Sequence, residues 1–95
     1  MVVVRGVNVY PSAVEEIIRA SGEVAEYQVN VGSVHALAEL SVKIEPAAGC
    51  RDVATLVRQL EKAFDSAFAL RVPVTAVSPG VLPRFEMKAR RWVKS

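Results

Sequence analysis

Apolar residues recur along this chain at two spacings, and the points where one spacing gives way to the other mark its elements. Residues 2–9 are rich in valine and predict a strand, with Gly6 as a bulge or a point of close backbone approach. Pro11 ends that extended run. Ser12 and Glu15 then stand at capping-box spacing and predict a helix from Ser12. Its apolar face is Val14, Ile17, Ile18 and, weakly, Ser21, and Gly22 is placed to stop it.

A period of two follows. Tyr27, Val29 and Val31 alternate with Glu26, Gln28 and Asn30; Ala36, Ala38, Leu40, Val42 and Ile44 alternate with Glu39, Ser41, Lys43 and Glu45. The pattern predicts strands at 24–31 and 35–45, joined as a hairpin at Gly32-Ser33, in a sheet covered on one side only. After a loop from Pro46 to Arg51, Asp52 is placed to cap a second helix. The apolar stripe of that helix is Val53, Leu56, Val57, Leu60, Phe64 and Phe68. A last strand at 71–78 presents Val72, Val74 and Ala76, and Pro79-Gly80 turns the chain into a short basic segment. The order β-α-β-β-α-β predicts an α+β, ferredoxin-like sandwich. Two helices cover one face of a four-stranded antiparallel sheet, and a short basic C-terminal tail follows.

With 95 residues the chain has room for one domain, residues 1–95. A hydrophobic share of 52% and a mean hydropathy of +0.27 exceed what so small a core can hide. Part of that surface is expected to meet a partner, for instance in a homodimer through an apolar sheet face. The single Cys50 excludes an internal disulfide framework and a multi-cysteine metal site, and nothing near it argues for a reactive thiolate. No run approaches the roughly 20 apolar residues of a membrane span, and the amino-terminal valines are too few for a signal peptide. A cytoplasmic protein with no membrane association is expected.

The net charge of +2 is unevenly spread. Residues 84–95 carry Arg84, Lys88, Arg90, Arg91 and Lys94 against Glu86, while the rest has seven bases and nine acids. A basic tail of this kind suits phosphate. Nucleic acid is disfavoured, because the strands put no aromatic pair on an open face. Glu15, Glu16 and Glu86 read as solvated, and His35 as a surface residue beside a turn. Trp92 either folds onto the open sheet face or stacks on a base.

Two segments carry candidate chemistry. Read alone, Arg5-Gly6-Val7-Asn8-Val9-Tyr10-Pro11-Ser12 is a glycine-bearing strand, and Pro79-Gly80-Val81-Leu82-Pro83-Arg84-Phe85-Glu86-Met87-Lys88-Ala89-Arg90-Arg91 is a basic loop framed by prolines. Together they resemble the opening and closing motifs of the C-terminal domain of phenylacetate–CoA ligases, in the same order and at opposite ends. The likeness spans nearly the whole chain. Met87 stands where that family has glycine, and Phe85 where it has a small polar residue.

The resemblance implies the small lid domain of an adenylate-forming, AMP-binding enzyme. Such an enzyme joins an acid to ATP with release of pyrophosphate, then passes the acyl group to coenzyme A. It implies that Lys88 is the catalytic lysine of adenylation. It also implies that Arg5, Gly6, Val7 and Asn8 form the loop facing coenzyme A, and that Arg84 and Arg90 are candidates for phosphate contacts. ATP, magnesium and coenzyme A belong to the complete enzyme, and no cofactor is expected on this chain alone. Their sites are expected on a large N-terminal adenylation domain, in the same or a separate chain, so the isolated domain is expected to be non-catalytic. The alternative is a free-standing regulatory or interaction module of ferredoxin-like fold that dimerises or binds a small ligand.

Overall fold

The computed structural model describes residues 2–34, 37–78, 80, 82 and 92–94. The expected first strand is a hairpin. β1 (Val2–Val4) pairs antiparallel with β2 (Val7–Val9), and Val2 lies opposite Val9 and Val4 opposite Val7. The cause is local: Arg5 and Gly6 both take positive φ, 49° and 81°, which is the two-residue reversal that matches strand twist. Gly6 is thus a turn residue and not a bulge. The register puts Val2, Val4, Val7 and Val9 on one side of the ribbon, where Val4 and Val9 are buried, and leaves Val3 and Asn8 exposed on the other.

α1 (Pro11–Ser21) starts one residue before Ser12. Pro11 supplies the first turn with its fixed φ, and Tyr10 occupies the cap position without a side-chain bond, so the expected capping box is not used. Gly22 ends the helix in the left-handed region, as its position predicts. β3 (Val24–Val34) and β4 (Leu37–Pro46) form the expected antiparallel pair, with Tyr27 opposite Ile44, Val29 opposite Val42 and Val31 opposite Leu40. Gly32 and Ser33 lie inside β3 and pair with Glu39 and Ala38. Val34 pairs with Leu37, and residues 35–36, among them His35, lie outside the described residues.

α2 (Val53–Phe68) begins where Asp52 predicts. The Asp52 carboxylate accepts from the Thr55 amide at 3.1 Å and from the Thr55 hydroxyl at 2.6 Å. Leu56, Leu60 and Phe64 are buried, Val57 and Phe68 are partly buried, and Val53 is exposed. The chain then runs extended into β5 (Val74–Ala76), shorter than the expected 71–78. β6 (Trp92–Lys94) turns the end of the supposed tail into a strand.

The larger sheet has four strands in the order β5-β4-β3-β6, and it is mixed. β3 and β4 are antiparallel, but β5 runs parallel to β4 and β6 parallel to β3. This corrects the all-antiparallel ferredoxin-like expectation. Two physical reasons account for it. The amino-terminal strand is spent on its own hairpin, and α2 acts as a crossover that returns β5 in the direction of β4. The α+β class with two helices holds. Val14 and Ile18 of α1 and Leu56, Leu60 and Phe64 of α2 join Tyr27, Val29, Leu40, Val42 and Ile44 in one apolar core, with Val4 and Val9 of the hairpin.

Candidate functional site

Both helices and the apolar strand positions take one face of the sheet, so the other face carries the alternate residues. Cross-strand pairs there are Glu26 with Glu45, Gln28 with Lys43, Asn30 with Ser41 and Gly32 with Glu39. The two candidate segments reach the two ends of this polar face. At one end the Arg5 guanidinium pairs with the Glu39 carboxylate. At the other the Gly80 amide donates to Glu45 Oε1 at 2.7 Å. Glu39 and Glu45 are six positions apart on β4 and point the same way, which separates the contacts by about 20 Å.

Within the amino-terminal segment, Arg5, Gly6 and Asn8 are exposed, whereas Val7 turns inward and packs against the core. Open space surrounds Gly6: a Cβ there would meet nothing within 4 Å, and it is the φ that calls for glycine. The pair Arg5–Glu39 is half-exposed on the arginine side and about a third exposed on the glutamate side, so it contributes roughly 0–1 kcal/mol.

In the closing segment, Gly80 takes a φ of 83° and Leu82 is buried at 5% exposure. Lys88, Arg84 and Arg90 lie outside the described residues, as do Phe85, Glu86 and Met87. Trp92 sits opposite Val29 in β6 and packs against the core, so it lies on the helix-covered side and not on the open face.

The charged groups on the polar face are three carboxylates (Glu26, Glu39 and Glu45) against Arg5 and Lys43. These are the charged groups of that face among the described residues. Two open grooves lie elsewhere. One of about 420 Å³ at the start of α2 is lined by Glu23, Gly49, Arg51, Asp52, Thr55 and Gln59. The other, about 380 Å³, runs beside β5 along Pro46, Ala47, Ala48, Val53, Ala76 and Val77. Neither touches the two candidate segments.

Other candidate groups are structural. Glu15, expected to be solvated, is buried on α1 and pairs with Arg19 at 3.2 Å; the helix turns it toward the protein. Removal of water from the Cys50 thiol raises its pKa above the ordinary value, and the Glu23 carboxylate 3.8 Å away raises it further, which disfavours the thiolate. Among the described residues, no three metal-ligating side chains cluster, and no helix is long and apolar enough to cross a membrane. The feature missed in the sequence is Glu45. Its alternation marks it as outward-facing, yet it is 2% exposed and accepts from the Gly80 amide, 35 positions later.

Residues 6–95 match the family model described as the AMP-binding enzyme C-terminal domain. No curated protein matches the chain. Among solved structures, a domain of phenylacetate-coenzyme A ligase from Bacteroides vulgatus superposes with a TM-score of 0.84 at 22% identity, over 99% of this chain and 91% of that one. A 2-hydroxyisobutyryl-CoA ligase holding 2-HIB-AMP and CoA in its thioesterification state matches at 27% identity and a TM-score of 0.80. The match covers 96% of this chain and 20% of the ligase. In its postadenylation state with 2-HIB-AMP, that ligase matches over 100% of this chain and 21% of its own length, at 27% identity and a TM-score of 0.81. The chain thus spans about a fifth of that ligase.

Proposed function

The chain belongs to the family of C-terminal domains of AMP-binding enzymes, and from that premise we propose that it is the lid of an acid–CoA ligase of the phenylacetate–CoA ligase type. A large adenylation domain, in the same or a separate chain, holds ATP, magnesium and the acid. This domain supplies Lys88 for the first half-reaction, where the ammonium lies against the negative charge that builds between carboxylate and nucleotide phosphate. Arg84 and Arg90 lend phosphate contacts. In a second orientation the lid presents Arg5, Gly6 and Asn8 to coenzyme A, with Val7 as their packed support.

One observation carries the reading. The hairpin tip and the start of the closing segment hold opposite ends of one polar sheet face, at Glu39 and Glu45. A domain that swings between two orientations can offer one segment or the other to a pocket. By the same reading the domain works in the cytoplasm, where ATP and coenzyme A are at hand.

The alternative is a dimerising module through an apolar sheet face. Among the described residues the large exposed apolar side chains are Val3, Tyr10 and Val53, and Val53, on a helix, is not part of the hairpin segment that holds the other two.

The experiment is reconstitution. The isolated chain with ATP, magnesium and phenylacetate is expected to release no pyrophosphate. Adding it to an adenylation domain of the phenylacetate–CoA ligase type that lacks its own lid is expected to raise pyrophosphate release at least a hundredfold. Release by the chain alone, or no gain on mixing in a pair shown to associate, sinks the proposal.

A further inference from the structure

We infer that Glu61 guards the outer edge of the four-stranded sheet: its carboxylate takes the Val74 amide that a strand from a second copy of this chain would otherwise bond. In the order β5-β4-β3-β6, β5 has a neighbour on one side only. Two bonds to that neighbour fix the direction of its backbone groups. The Val42 amide donates to Pro73 O at 2.9 Å, and the Val77 amide donates to Ile44 O at 2.8 Å. In a parallel pair alternate residues of a strand bond the same neighbour. Pro73, Thr75 and Val77 therefore face β4, and Val74 and Ala76 turn their amides to the open side.

An edge of this kind is a template for another strand, and proteins commonly blunt it with a charge or a proline in the strand itself. Neither device serves here. The run Val72-Pro73-Val74-Thr75-Ala76-Val77 carries no charge and is rich in β-branched residues. Pro73 lacks its amide on the side that faces β4, so the open side keeps its donors. The charge comes from a helix instead. Glu61, one position after the buried Leu60, lies on the flank of α2, is partly buried, and accepts from the Val74 amide at 3.0 Å.

Water would satisfy an exposed edge amide, so satisfaction alone does not call for a carboxylate. Against an incoming strand the charge matters in two ways. A hydrogen bond to a charged acceptor is about twice as strong as a neutral one, so a carbonyl does not displace it. The incoming carbonyl would also face the carboxylate and shut it away from water without a cation. Loss of Glu61 leaves two outward donors spaced as a ladder requires. The groove of about 380 Å³ beside β5, lined in part by Val53, Ala76 and Val77, then offers apolar surface to cover. A second copy brings the same uncharged edge, and the two edges complement each other about a twofold axis.

The test is sedimentation of the chain at a series of concentrations. Glu61→Ala is expected to dimerise at least about tenfold more tightly than wild type. Ala76→Pro removes an outward amide and no bond to β4, and adding it to Glu61→Ala is expected to restore wild-type behaviour. Unchanged association in Glu61→Ala overturns the guard. So does tighter association that Ala76→Pro leaves in place, since the contact then lies off the β5 edge. Should Glu61→Ala not fold, Glu61→Gln decides, because its carboxamide still holds the Val74 amide but brings no charge. Tighter association in Glu61→Gln that Ala76→Pro reverses supports the guard, and wild-type association refutes it.

Discussion

Arg5 holds a conformation that side chains other than glycine pay to adopt, at roughly 1–2 kcal/mol. Its ion pair with Glu39 returns at most about 1 kcal/mol, since both groups meet water. Stability therefore does not explain arginine at this turn, whereas asparagine would suit the geometry better. Arg5→Asn is expected to leave the urea midpoint unchanged or higher, while thioester formation by the reconstituted ligase falls severalfold. A loss of stability with full thioester activity would show that arginine serves the fold. The neighbouring glycine was visible in the sequence, but its role was not, because a turn of two residues carries no periodicity and Arg-Gly is not among the usual hairpin pairs.

At the scale of elements, α2 was the most legible part of the chain. Its cap and its stripe of Leu56, Leu60 and Phe64 are set by neighbours within a few turns. The Asp52 carboxyl has its pKa lowered, chiefly by the Thr55 hydroxyl and then by the Thr55 amide. A group depressed in the folded state stabilises fully above its unfolded pKa, near 4, and loses that contribution as pH falls through the lower folded value. Denaturation of wild type and Asp52→Asn is thus expected to differ at pH 7, with the gap shrinking toward pH 3. A gap that stays constant with pH would exclude the charge.

At the other end of α2, Ala69 closes the helix with a φ of 54° and its amide bonded to Asp65 O at 2.8 Å. Glycine relieves that conformation, so Ala69→Gly is expected to add about 0.5–1 kcal/mol to unfolding free energy by urea titration. A loss of stability would mean that the alanine methyl packs usefully. β5 and β6 were far harder to read. Three residues give no measurable alternation, and in Trp92-Val93-Lys94 the charge pattern of the tail concealed a strand.

For the whole molecule, the sequence motifs placed the two candidate segments at opposite ends of the chain, and the fold brings Arg5 of one and Gly80 of the other to the same polar sheet face. Local pattern predicted which residues of β3 and β4 share a face, but it placed the reversal at Gly32-Ser33, which pair inside the strands. It did not predict the mixed sheet, since the directions of β5 and β6 depend on crossovers and not on side-chain alternation. Nor did it find the burial of Glu45, whose carboxylate meets a residue 35 positions later in the chain. The resulting account is of a rigid lid that offers different ends to a pocket in successive steps.

The direct measurement is the pair of half-reaction rates in the ligase reconstituted with Lys88→Ala. Pyrophosphate release should fall by about a hundredfold or more, and coenzyme A attack on supplied acyl-adenylate should proceed within about twofold of wild type. Equal slowing of both steps, or of neither, would contradict a lid that uses its two ends in turn.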